Sequence, residues 1–69
     1  MQIKTTKDIA ELIKKTRKEQ KLTQAELALI SNVGIRFLSD LENGKPTCEI
    51  EKVIKILRNL GLQLSVKDN

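Results

Sequence analysis

Residues 22–45, LTQAELALISNVGIRFLSDLENGK, carry the side chains with most to offer another molecule. At about 100° per residue, Ile35, Arg36, Ser39, Asp40 and Asn43 spread over one side of a helix, while Gly34, Phe37, Leu38 and Leu41 cluster on the other. The apolar side can pack on a core. The other presents one Arg among short or flat polar groups, a surface of the kind that can lie in a DNA groove. Its chemistry is hydrogen bonding and charge pairing. With no His and a single Cys, Cys48, the chain lacks the usual zinc ligand sets and general bases and cannot form an internal disulfide. Neither catalysis nor a metal or other cofactor is expected.

Other elements must hold that helix in place. Thr23 and Glu26 form a T-x-x-E capping box that starts a second helix, 24–31, in which Leu27 and Ile30 are expected to face inward. Ala28 is small enough for a neighbouring helix to come close, and Leu29 is left outside. Asn32 and Gly34 tolerate positive φ, so the chain can turn sharply into a third helix, 34–43. Asn43-Gly44 ends it in a left-handed cap, with Lys45 and Pro46 just beyond.

Upstream, Thr5 and Asp8 resemble another capping box, and Ile9, Leu12, Ile13, Thr16 and Gln20 share one stripe of a first helix, 5–20. Downstream, Thr47 can cap a fourth helix, 48–60, whose stripe is Ile50, Val53, Ile54, Leu57 and Leu60. Residues 62–67 then alternate apolar and polar, the period of a strand. A lone strand cannot satisfy its backbone, and Gln2-Ile3-Lys4 is a very short mate. Pairing with a second copy through Leu62, Leu64 and Val66 resolves this and joins two subunits about a two-fold axis. The alternatives are a frayed tail or a strand that binds another partner. The fold class is therefore mainly α: four helices, with a short C-terminal β-strand that pairs between subunits.

Sixty-nine residues suffice for one domain with a thin stability margin, which oligomerisation would widen. The apolar 39% is almost all Leu, Ile, Val and Ala with a single Phe, as packed helices prefer. Net charge is +4, and residues 1–21 hold seven Lys or Arg against three Asp or Glu. That local excess suits contact with phosphate, although it is common on other proteins too. No apolar run approaches the roughly 18 residues of a membrane span, and MQIKTTKD has no apolar signal region, so a cytoplasmic protein without membrane partners is expected.

LTQAELA, a turn, and a helix closing in LENGK together resemble the lambda-repressor/Cro-like (XRE-type) helix-turn-helix family, over residues 9–60. The resemblance implies a four-helix, lambda-repressor-like DNA-binding domain. In it Thr23 and Gln24 meet DNA phosphates, and Gly34, Ile35, Arg36 and Asp40 read bases, with Ser39 close by. Arg36 could pair with guanine O6 and N7, and Ile35 could touch a thymine methyl. Asp40 could accept from cytosine N4 or hold Arg36 in place. The resemblance further implies that Asn43, Lys45 and Thr47 grip the next phosphates and that Arg17 and Glu42 form a partly buried structural ion pair. Asn32 stands where Gly is common, Ile35 where a polar reader is common, and Phe37 is larger than usual, so half-buried packing is expected of it, with backbone or partner contact as the rival.

The longer run GIRFLSDLENGKPTCEIEKVIKILRNLGLQL resembles the HipB-type antitoxins. These repress their own operon, dimerise through a C-terminal strand and pair with a HipA-like serine/threonine kinase toxin. The implied function is a homodimeric repressor on a palindromic double-stranded operator. A phage-type or stand-alone regulator without a toxin is the alternative, and toxin neutralisation as the main task is a further one.

Overall fold

The computed structural model describes residues 2–47 and 49–67. Four helices follow one another: α1 Thr6–Glu19, α2 Gln24–Ile30, α3 Ile35–Glu42 and α4 Ile50–Asn59. Both capping boxes are present. Thr5 Oγ1 accepts from the Asp8 N–H at 3.4 Å, and Asp8 Oδ2 accepts from the N–H groups of Lys4 and Thr5 at 2.7 and 3.0 Å. Thr23 Oγ1 accepts from Glu26 N–H at 3.0 Å, and Glu26 Oε1 accepts from Thr23 N–H at 2.8 Å. Such boxes satisfy orphan donors of the first turn and fix where each helix begins.

The turn between α2 and α3 places Asn32 at φ 54°, the left-handed conformation that Asn tolerates. Gly34 stays at φ −69°, exposed, as the N-cap of α3. It therefore lies ahead of the helix and not on the apolar face expected of it. Gly44, at φ +83°, makes the left-handed exit from α3.

Ile13, Leu27, Ala28, Leu38, Leu41, Val53, Ile56, Leu57 and Leu60 form one buried cluster, with Ile9, Leu22, Val33, Phe37 and Leu62 packed around it. Several inward-facing expectations are corrected. Ile30 is 54% exposed, because Leu27, Ala28 and Ser31 set the buried centre of α2 and Ile30 falls about 100° away from it. Ile56, absent from the expected stripe, is fully buried, whereas Ile50 and Ile54 are exposed. The inward face of α4 is Val53, Ile56, Leu57 and Leu60, at i, i+3, i+4 and i+7, which turns Ile50 and Ile54 to its flank. Gln20 is exposed yet tied down, its amide donating to the Leu60 carbonyl at 2.7 Å.

The start of α4 is later than expected. Its N-cap is Glu49, without a side-chain cap, and Thr47 Oγ1 accepts from Glu49 N–H at 3.0 Å, shaping the turn two residues ahead. Cys48, the expected first residue, lies outside the described residues. After α4 the Leu62 N–H closes on the Leu57 carbonyl at 2.9 Å and the chain runs on without a ladder. No strand forms among the described residues, because the single chain supplies no second edge at 62–67. Leu64 and Val66 are left exposed, Val66 by 97%. No described helix is long and apolar enough to cross a membrane.

Candidate nucleic-acid interface

An eight-residue helix is too short to stand alone in water, so α3 depends on what holds its ends. Glu42, in its last turn, is the main tie. Arg17 of α1 donates to both carboxylate oxygens, Nε to Oε2 at 2.7 Å and Nη2 to Oε1 at 3.0 Å. Gln24, the first residue of α2, donates to the same Oε1 at 3.0 Å. The remaining Arg17 nitrogen, Nη1, donates to the Leu22 carbonyl at 2.7 Å. The two side chains are 9% and 2% exposed, and no described side-chain polar atom is buried without a partner. Burial pushes the Glu42 carboxyl up, but hydrogen bonds from Arg17 and Gln24 and the charges of Arg17 and Lys14 outweigh it and hold its pKa below the usual range. The hydrogen bond to Glu42 raises the Arg17 pKa in turn, against the opposing effect of burial.

This tie fixes both the end of α3 and the start of α2. It leaves Ile35, Arg36, Ser39, Asp40 and Asn43 together on the outward side of α3, with Gly34 at its head. Arg36 is exposed and makes no ion pair among the described residues. Of the two roles open to Asp40, holding Arg36 is not the one seen: Asp40 pairs with Lys45 at 3.5 Å, back across the end of the helix. Arg36 is thereby left to reach outward. At the start of α2 the capping box takes up Thr23 Oγ1 and the N–H groups of Thr23 and Glu26, and the Gln24 amide is committed to Glu42, so both side chains are already oriented. Asn43, Lys45 and Thr47 are exposed or half-exposed along the exit from α3 where the chain turns toward α4, with Asn43 at the C-cap itself.

Phe37 is half-buried against the core, with Lys52 Nζ over its ring at 5.1 Å from the centroid. That cation–π contact and the Gln24 link were not foreseen. Both join residues remote in the chain whose types fit many other roles, so no local spacing announces them.

A short exposed helix, introduced by a capped helix across a tight turn and locked to the bundle through its last turn, defines a helix-turn-helix DNA-binding protein. The chain belongs to the helix-turn-helix family, whose profile matches residues 13–67. It is 50% identical over 64 residues, 93% of this chain and 84% of the relative, to the uncharacterized HTH-type transcriptional regulator y4mF of Sinorhizobium fredii. It is 40% identical over 60 residues, 84% of this chain and 67% of the relative, to the ImmF control region 10 kDa protein of Bacillus phage phi105. Among solved structures, a chain of a HipA–HipB–O2–O3 complex superposes with a TM-score of 0.87 at 26% identity, covering 99% of this chain and 96% of that one. The protein is thus a DNA-binding transcriptional regulator of the XRE type, similar in structure to HipB.

Proposed function

We propose that this regulator is the antitoxin of a type II toxin–antitoxin pair, a homodimer that represses its own operon and binds a HipA-like kinase toxin. The observation that carries this reading is the superposition on one chain of a HipA–HipB–O2–O3 complex over nearly the whole length of both chains. Each recognition helix lies in a major groove, and two-fold symmetry sets half-sites about 34 Å apart or a multiple of that. Arg36 donates to a guanine edge, and Gly34, Ile35, Ser39 and Asp40 complete the reading surface. Thr23, Gln24, Asn43, Lys45 and Thr47 grip the backbone. Footprinting across the gene's own promoter tests this: two protected half-sites at that spacing are expected, and an unprotected promoter would refute autoregulation. Co-purification with a kinase-like protein encoded beside the gene is expected as well.

Dimerisation is assigned to the tail. Leu64 lines a groove with Ile54, Leu57, Arg58 and Leu62, Val66 follows it fully exposed, and the exposed Ile50 lies one turn before Ile54 on α4. A second copy's tail would bury these apolar groups and complete the unpaired backbone edge. Ending the chain at Gly61 is expected to give a monomer in analytical ultracentrifugation. A truncated protein that stays dimeric would contradict the assignment.

A second reading, a phage-type or stand-alone regulator without a toxin, is favoured by the likeness to the phage phi105 protein. A gene neighbourhood of phage functions, with no kinase-like protein co-purifying, would select it.

A further inference from the structure

Alongside the recognition surface, one flank of α1 carries two lysines outside the helix-turn-helix motif itself, Lys7 and Lys14, with the exposed carboxylate of Glu11 between them. Lys7 and Lys14 are two helical turns apart and so share a side, and each precedes by three residues a residue buried against the bundle, Ala10 and Arg17. The Lys7 stem lies across the exit from α3: a Cβ at Gly44 would stand 3.2 Å from Lys7 Cγ. Lys7, Ala10, Glu11, Glu42, Asn43 and Gly44 line one groove there. Lys14 sits near enough along the same flank for its charge to act on Glu42. Both lysines are exposed and neither makes an ion pair among the described residues.

The place matters electrostatically. The C-terminal end of α3 carries the negative pole of the helix, which repels a phosphate unless cations stand beside it. Lys45 on one side is partly engaged by Asp40, and Glu42 is neutralised by Arg17. Lys7 supplies a cation on the other side, next to the exposed Asn43. Lys14 continues the line toward the level at which Arg17 and Glu42 meet the start of α2.

We propose that Lys7 and Lys14 form a second line of DNA-backbone contacts along α1, joining the phosphates held at Asn43 to those held at the start of α2. This rests on the placement of Asn43, Thr23 and Gln24 against the DNA backbone. Glycine at position 44 has a part in it, letting the Lys7 stem cross the end of α3 so that its ammonium reaches the rim of the recognition face.

The probe is a fluorescent duplex of scrambled sequence, titrated by anisotropy at a series of salt concentrations, because phosphate contacts act on any sequence. The double variant Lys7→Gln/Lys14→Gln keeps the stem on Gly44 and removes the charges. Its plot of log K against log salt is expected to flatten by about 0.9 for each phosphate no longer neutralised, with Lys7→Arg/Lys14→Arg restoring the original slope. Lys15→Gln, on the outer face of α1, is expected to leave the slope in place. The proposal is overturned if the double variant keeps the original slope, or if Lys15→Gln flattens it as much as Lys7→Gln or Lys14→Gln alone, since net charge alone would then be at work. Should the double variant not fold, the single variants carry the same test at half the shift. Wild-type protein that failed to bind the duplex at low salt would overturn the backbone placement itself, and that is read without any variant.

Discussion

Replacing Glu42 by Ala is expected to lower the free energy of unfolding by about 3 to 5 kcal/mol, read from urea or thermal unfolding by circular dichroism. The loss is large because the substitution strands the Arg17 guanidinium among buried surfaces and also releases Gln24, so that α1, α2 and α3 are deprived of their shared partner together. For a chain of 69 residues this takes most of the stability available. A Glu42→Ala protein as stable as the parent would show that solvent or another group replaces the carboxylate. The pH dependence follows from the same site. The folded-state pKa of Glu42 lies below its ordinary value of 4.5, so its contribution is fully present above that value and is lost as pH falls through the folded pKa. Asp8 and Glu26, lowered by capping hydrogen bonds from the backbone of Lys4 and Thr5 and of Thr23, act in the same direction. Glu42→Gln is therefore expected to flatten the acid limb of the stability profile without abolishing it.

The second large effect falls on selectivity. Arg36→Ala is expected to narrow the gap between operator and scrambled duplex by about 1 to 3 kcal/mol, roughly 5- to 150-fold, with little change in folding. Arg36 is exposed and pairs with no described residue, so its removal leaves the bundle intact. Lys45→Ala should instead weaken every sequence alike if Lys45 has the proposed phosphate role, because such a contact carries no base information. Unchanged operator selectivity in a gel-shift series with Arg36→Ala would refute direct readout by this residue.

The starts of α1 and α2 were legible in the sequence because they are written in side chains close together along the chain, Thr5 with Asp8 and Thr23 with Glu26, whereas α3 and α4 begin without a side-chain cap and the start of α4 was misplaced. The outward set on α3 was legible for a similar reason, since the 3.6-residue period alone separates Arg36 and Asn43 from Leu38 and Leu41. Which flank of a helix lies deepest was not, because it depends on how neighbouring helices approach. Ile54 and Ile56 are both β-branched and two residues apart, and only the way α4 packs into the shared core decides that Ile56 is buried. The alternation at 62–67 is as plain as any pattern in the chain, yet one chain forms no strand there. Periodicity states what a segment can pair with, while pairing needs an edge supplied from elsewhere. The Asp40 to Lys45 pair similarly depends on how the chain leaves α3, which the helical spacing of Arg36 and Asp40 does not describe.

A single carboxylate is shared by three helices through Arg17, Glu42 and Gln24, and this bears on how the reading surface comes apart. Neither the seven residues of α2 nor the eight of α3 can persist as isolated helices. Opening α3 therefore breaks the same contacts that hold α1, so its partial melting is expected to cost nearly as much as melting the whole domain. The reading surface and the bundle form one cooperative unit, and amide protons of α3 should exchange at the pace of global unfolding. Docking on DNA is therefore expected to leave the backbone of α3 as it is, with adjustment to a mismatched site confined to exposed side chains such as Arg36 and to the DNA.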